Sequence, residues 1–107
     1  MDLFKNCHNI LLFASSSGFA GGERNLLDIA RFLASKPNYK LFAVCPSGGL
    51  LVEELKKLDC KVLLAPIPSL LNVYSVLRIS KFIKENKVDL VHAHGTRAAL
   101  YARLACK

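Results

Sequence analysis

Asn9-Ile10-Leu11-Leu12-Phe13-Ala14 is followed by Ser15-Ser16-Ser17-Gly18-Phe19-Ala20-Gly21-Gly22, and then by Glu23-Arg24-Asn25-Leu26-Leu27. These residues decide the fold. The first six are apolar almost without interruption, which is the pattern of a strand covered on both faces and not of one half-exposed to water. The serine- and glycine-rich segment breaks that run. From Gly22 to Ser35 the apolar period becomes helical: Leu26, Ile29, Ala30, Leu33 and Ala34 share one face. Arg24, Asp28, Arg31 and Ser35 share the other, where Asp28 can pair with both arginines. Pro37 ends the helix, because a proline disfavours helical geometry in the residue before it. A buried strand, a glycine turn and an amphipathic helix in that order form the first unit of a parallel α/β sheet.

The unit recurs along the chain. Further apolar runs lie at Tyr39–Cys45, Lys61–Ala65 and Val88–Ala93. Helical patterns separate them at Leu50–Leu58, after the turn Pro46-Ser47-Gly48-Gly49, and at Ser69–Asn86; a last one covers Thr96–Cys106. In the third helix Val73, Val76, Leu77 and Ile83 are expected inward, with Arg78, Lys81 and Glu85 outward. The order β-α-β-α-β-α-β-α predicts a Rossmann-like, three-layer α/β/α domain with strand order 3-2-1-4. That order sets the first and fourth strands side by side, at the point where the chain reverses direction across the sheet. Ligands bind at such switch points, so the segments Ser15–Gly22 and His94–Arg97 are the candidate site.

Composition agrees with one domain. The chain has 107 residues, enough for one domain and too few for two. Hydrophobic residues make up 52% and charged residues 21%, and the mean hydropathy is +0.31. No apolar run reaches the ~18 residues that span a bilayer, and the first run lacks the cleavage site of a signal peptide. Cys7, Cys45, Cys60 and Cys106 form no C-x-x-C pair and no zinc spacing, so they read as small apolar residues in a reducing compartment. Fifteen Lys and Arg against eight Asp and Glu give a net charge of +7, which favours anionic partners.

The glycine segment opens a helix directly after a strand, where backbone amides and the helix dipole can hold a phosphate, and Gly21 and Gly22 allow close approach. The alternative is a tight turn and nothing more. The spacing is neither the dinucleotide fingerprint nor a P-loop, because no G-x-G-x-x-G and no Gly-Lys-Ser/Thr occurs there. Ala14 and Ala65 stand where a phosphoacceptor domain would need acids.

The second segment is Val91-His92-Ala93-His94-Gly95-Thr96-Arg97. His92 and His94 face the same side of a strand, but no further ligand is near in sequence and no metal is expected. His94, at the strand exit, is the candidate catalytic residue. His92, deeper in the strand, reads as a hydrogen-bonded structural residue. Thr96 suits a helix cap, and Arg97 in the first helical turn suits phosphate. His8 is placed before the first strand, without a role. In the last helix Ala98, Ala99, Ala102, Ala105 and Cys106 form a small-residue face, while Leu100, Tyr101 and Leu104 point elsewhere and need cover.

Together, Gly21-Gly22-Glu23-Arg24-Asn25-Leu26-Leu27 and Asp89-Leu90-Val91-His92-Ala93-His94-Gly95-Thr96-Arg97, with the alanine-rich helix after them, resemble the N-terminal domain of family 4 (group 1) retaining glycosyltransferases of the GT-B fold. The family's first motif commonly reads G-G-x-E-R-x-x-L, and here Glu23 follows the glycine pair without the spacer. The resemblance implies an acceptor-side N-terminal domain, with the donor-binding C-terminal domain absent from these 107 residues and the piece inactive alone. It implies a nucleotide-sugar donor, a glycan, polysaccharide or lipid-linked acceptor, and retention at the sugar carbon. Gly21 and Gly22 would lie near the donor diphosphate and acceptor, and His94 near the reacting groups. No cofactor, metal or nucleic acid is implied, and a cytoplasmic, peripheral place at the inner leaflet is. Two other classes stay open on the residues alone: a stand-alone phospholigand module, and a basic nucleic-acid binder. The second is disfavoured because Lys and Arg are dispersed and no recognition helix appears.

Overall fold

A computed structural model describes residues 8–15, 21–68 and 71–106. The eight elements are β1 (His8–Ala14), α1 (Gly21–Ala34), β2 (Tyr39–Cys45), α2 (Leu50–Lys56), β3 (Lys61–Leu64), α3 (Val73–Glu85), β4 (Leu90–His94) and α4 (Thr96–Ala105). The strands form one parallel sheet in the order β3-β2-β1-β4. The expected topology is therefore the observed one.

In β1 and β2 the continuous apolar run is explained by burial on both sides, whereas the outer strands β3 and β4, expected to be covered likewise, have no fully buried residue. Ile10, Leu12 and Ala14 of β1, with Leu41 and Ala43 of β2, face Leu26, Leu27 and Ala30 of α1 and Leu51 and Leu55 of α2. Leu11, Phe13, Phe42 and Val44 face the opposite way, toward Ile79 and Phe82 of α3 and Ala98, Tyr101 and Ala102 of α4. Leu11, Leu12 and Phe13 are fully buried. At about 1.5–3 kcal/mol for each large apolar side chain removed from water, β1 is the strand the rest of the fold cannot do without.

Two expectations about the helices need correction. α3 starts at Val73 and not at Ser69, a residue outside the described ones. Asn72 takes the cap position and its side chain accepts from the Ser75 amide at 3.2 Å. The helix is also turned from the expected face: Ser75, Ile79 and Phe82 are buried, Val76 and Ile83 pack partly buried against the core as expected, and Val73 and Leu77 are about 60% exposed. The second correction is Tyr101, which is fully buried and joins Ala98, Ala102 and Ala105 on the inner face of α4. Its hydroxyl donates to Pro68 O at 2.9 Å and accepts from Asn72 N at 3.0 Å. That clamp fixes the start of α3 against α4, which explains both corrections. Leu100 and Leu104, read from sequence as needing cover, are exposed, and so is Cys106, expected on the small-residue face.

β4 begins at Leu90, two residues later than the apolar run at Val88. Lys87 turns the chain at φ 52°, and Asn9 binds the turn, donating from its side chain to Asn86 O at 3.0 Å and Lys87 O at 2.9 Å. The Asn9 amide donates to the Asp89 carboxylate at 2.8 Å. His8 is the first residue of β1, not a residue ahead of it, and its ring lies 5.9 Å from that of Tyr39.

Candidate functional site at the β1 and β4 exits

Parallel pairing brings the C-terminal ends of β1 and β4 together. Their last register pairs are Phe13 with Ala93 and Ala14 with His94. α1 and α4 leave from this same edge of the sheet, so the amide-rich starts of both helices stand at the strand exits, the arrangement that favours an anion. Gly21 and Gly22 are the first two residues of α1. Residues Ser16 to Ala20 of the connecting segment lie outside the described residues.

His94 is half-buried at the end of β4. By strand alternation it shares a side with Leu90 and His92, and the His92 and His94 rings are 6.1 Å apart. That side is the α1 side, since Ile10, Leu12 and Ala14 are its register partners. Arg97 is exposed in the first turn of α4. His94 and Arg97 are therefore on one turn, beside the exit of β1.

Gly95 makes that turn possible. Its φ of 103° and ψ of 159° fall in a region that essentially only glycine occupies. It holds the N-cap position of α4, so Thr96 is the first helical residue and not the cap expected from sequence. A glycine supplies no capping side chain. Ser15, one residue past β1, supplies it instead: its Oγ accepts from Ala98 N at 3.2 Å and donates to His94 O at 2.9 Å. The sequence places Ser15 in the candidate segment Ser15–Gly22 but gives it no role of its own, because only strand pairing shows which turn it meets.

His92 is the other correction. It is exposed, not a buried hydrogen-bonded residue, since β4 is an edge strand among the described residues. It borders a mainly apolar groove of about 410 Å³ with Ile10, Leu12, Ile29, Leu33 and Leu90. Among the described residues no three His, Cys, Asp or Glu side chains come together as a metal would require. Cys45 and Cys60 are buried and their thiols are pushed up to about 12, Cys45 by burial and Cys60 by burial and then by its neighbour Cys45. Neither is a nucleophile in this fold.

The family model for glycosyltransferase family 4 matches residues 19–107, which include α1, β4 and the His94–Arg97 turn. The chain belongs to glycosyltransferase family 4. Its fold is similar to that of a glycosyltransferase from Rickettsia africae ESF-5, with a TM-score of 0.71 and 28% identity over 94% of this chain. It is also similar in fold to Acinetobacter baumannii MurG, with a TM-score of 0.65 and 18% identity over 91% of this chain. The family 4 domain spans 27% of the first of those chains and 32% of the second. No curated protein sequence matches it. Fold and family, expected from the two motifs and the strand pattern, are thus those of a glycosyltransferase.

Proposed function

We propose that this chain is the N-terminal, acceptor-side domain of a retaining glycosyltransferase that moves a sugar from a nucleotide-sugar donor to a glycan, polysaccharide or lipid-linked acceptor. The observation that supports the reading is the pairing of the β1 and β4 exits, which sets Ala14 beside His94, with α4 and its Arg97 starting on the next turn. Glycosyl transfer with loss of a nucleoside diphosphate develops negative charge on the leaving group. Oriented amides and a guanidinium stabilise such charge without reorganising at the moment of reaction.

In this reading Gly21, Gly22 and Arg97 lie toward the donor diphosphate, and His94 toward the reacting sugar. The nucleotide is held mainly by a second domain outside these 107 residues, so the chain alone turns over no donor. No metal or organic cofactor is called for. The test is His94→Ala in the full-length protein: kcat should fall by about 10²-fold or more, with nucleoside diphosphate affinity little changed. Unchanged turnover would remove His94 from the site.

The same protein is proposed to work in the cytoplasm, peripherally bound at an anionic inner leaflet. Leu71, Val73, Tyr74 and Leu77 are all about half exposed or more. They precede Arg78, Lys81 and Lys84 on α3, and Arg78 lies over the Tyr74 ring at 5.8 Å. Apolar side chains beside cations suit the interface between headgroups and acyl chains, where each cation near anionic lipid contributes about 1 kcal/mol. Among the described residues no helix is long and apolar enough to cross a membrane.

A further inference from the structure

We infer that Ser15 is a positioning residue, a latch that aims His94 and Arg97 by holding the turn between β4 and α4. This rests on the reading that places His94 at the reaction centre. Backbone pairing between β1 and β4 ends at Ala14 and His94, so no ladder hydrogen bond constrains the turn beyond that point. The cap position of α4 is a glycine with no side-chain hydrogen bond of its own. Ser15 fills both gaps from a neighbouring strand, 79 residues away from His94 in sequence and 83 from Ala98.

The chemistry of a hydroxyl fits the place. Ser15 Oγ has one proton to donate, which goes to His94 O at 2.9 Å. Its lone pair receives Ala98 N–H at 3.2 Å, the third-residue amide that an ordinary N-cap side chain would serve. Ser15 in this position requires a glycine at 95: a Cβ there would stand 2.3 Å from Ser15 Oγ and 3.0 Å from its Cβ. The latch therefore ties the peptide plane of His94 to the first turn of α4, which carries Arg97. Losing it frees the two side chains to move relative to each other. Misplacement on the order of 1 Å is enough to cost about 10²-fold in rate.

A plain capping role would change stability and leave kinetic constants alone, so the test reads both. In the full-length protein, deuterium exchange of peptides covering Thr96 to Ala102 should speed up in Ser15→Ala. Turnover is measured as nucleoside diphosphate released from whichever of UDP-glucose, UDP-galactose, UDP-N-acetylglucosamine and GDP-mannose the protein uses. Ser15→Ala should lower kcat about 10- to 100-fold with donor KM little changed. In a His94→Ala background the same substitution should have a clearly smaller effect, only the part that passes through Arg97, because Ser15 acts in part through His94. Should Ser15→Ala not fold, Ser15→Cys, slightly larger, keeps a polar side chain while weakening both hydrogen bonds, and is judged by the same criteria. Unchanged kcat in Ser15→Ala, beside a large loss in His94→Ala, would overturn the latch alone. An equal loss from Ser15→Ala with and without His94 would also overturn it. Unchanged turnover in His94→Ala would instead sink the site reading, and the role of Ser15 in turnover with it, whatever the exchange shows.

Discussion

Gly95→Ala is the substitution whose cost follows most directly from the coordinates. The backbone there, at φ 103° and ψ 159°, costs a residue with a Cβ about 1–3 kcal/mol. The new methyl would also stand 2.3 Å from Ser15 Oγ. Ser15 can rotate away only by giving up its bonds to His94 O and Ala98 N, each worth about 0.5–1.5 kcal/mol net. The combined loss is about 2–6 kcal/mol, against the 5–15 kcal/mol that holds a domain of this size folded. Equilibrium unfolding in urea, followed by circular dichroism, should show the midpoint falling by about 1 M or more with little change in slope. Gly48→Ala is the internal control: nothing lies within 4 Å of a Cβ there, so its effect should stay within about 1 kcal/mol of zero. If Gly95→Ala costs less than about 1 kcal/mol, or no more than the control, the reasoning about the turn fails.

Tyr101→Phe keeps the buried ring but strips the partners from Pro68 O and Asn72 N, and should destabilise by about 1–3 kcal/mol in the same urea assay. Cys45 and Cys60 should resist iodoacetamide at pH 8 in the folded chain and react once it unfolds, as mass spectrometry of digested peptides would show. Both folded thiols are raised from 9.0 to about 12, so the stability from keeping them neutral is complete below pH 9. It is lost as pH rises toward 12, by about 1.4 kcal/mol per pH unit for each thiol, and replacing both with Ala should flatten that decline. If α3 meets a membrane, Tyr74→Ser with Leu77→Ser should cut binding to anionic vesicles at low salt while leaving binding to neutral vesicles weak, and equal sedimentation with both lipids would refute the contact. Gly22→Val should lower both turnover and nucleotide affinity in the full-length protein, because a branched side chain blocks close approach to the start of α1.

The strand order was readable because each strand carried its own evidence. Ile10–Ala14 and Leu41–Cys45 are apolar at every position, and only a sheet covered on both faces makes use of that pattern. The place of the candidate site was legible at the same coarse level, since topology alone puts the exits of β1 and β4 together. Individual side chains were less so. The apolar arc of α3 is wider than the surface available to cover it, so its sequence is compatible with several rotations about the helix axis. His92 looked internal because the local run is apolar, yet strand position in a sheet, not local pattern, determines cover.

The sequence by itself determined the family, the alternation of elements, the parallel sheet and the two strand exits that meet at its edge. Those features depend on periodicity and on short motifs, which are properties of neighbouring residues. Only the tertiary structure decided which residues hold the meeting point in shape. Tyr101 became a clamp on Pro68 and Asn72, Ser15 became the cap of a helix 83 residues away, and Gly95 became the one residue that fits beside it. Each depends on a hydrogen bond or a close approach between segments far apart in the chain. Such contacts have no local period, so they exist only once the strands have chosen their neighbours.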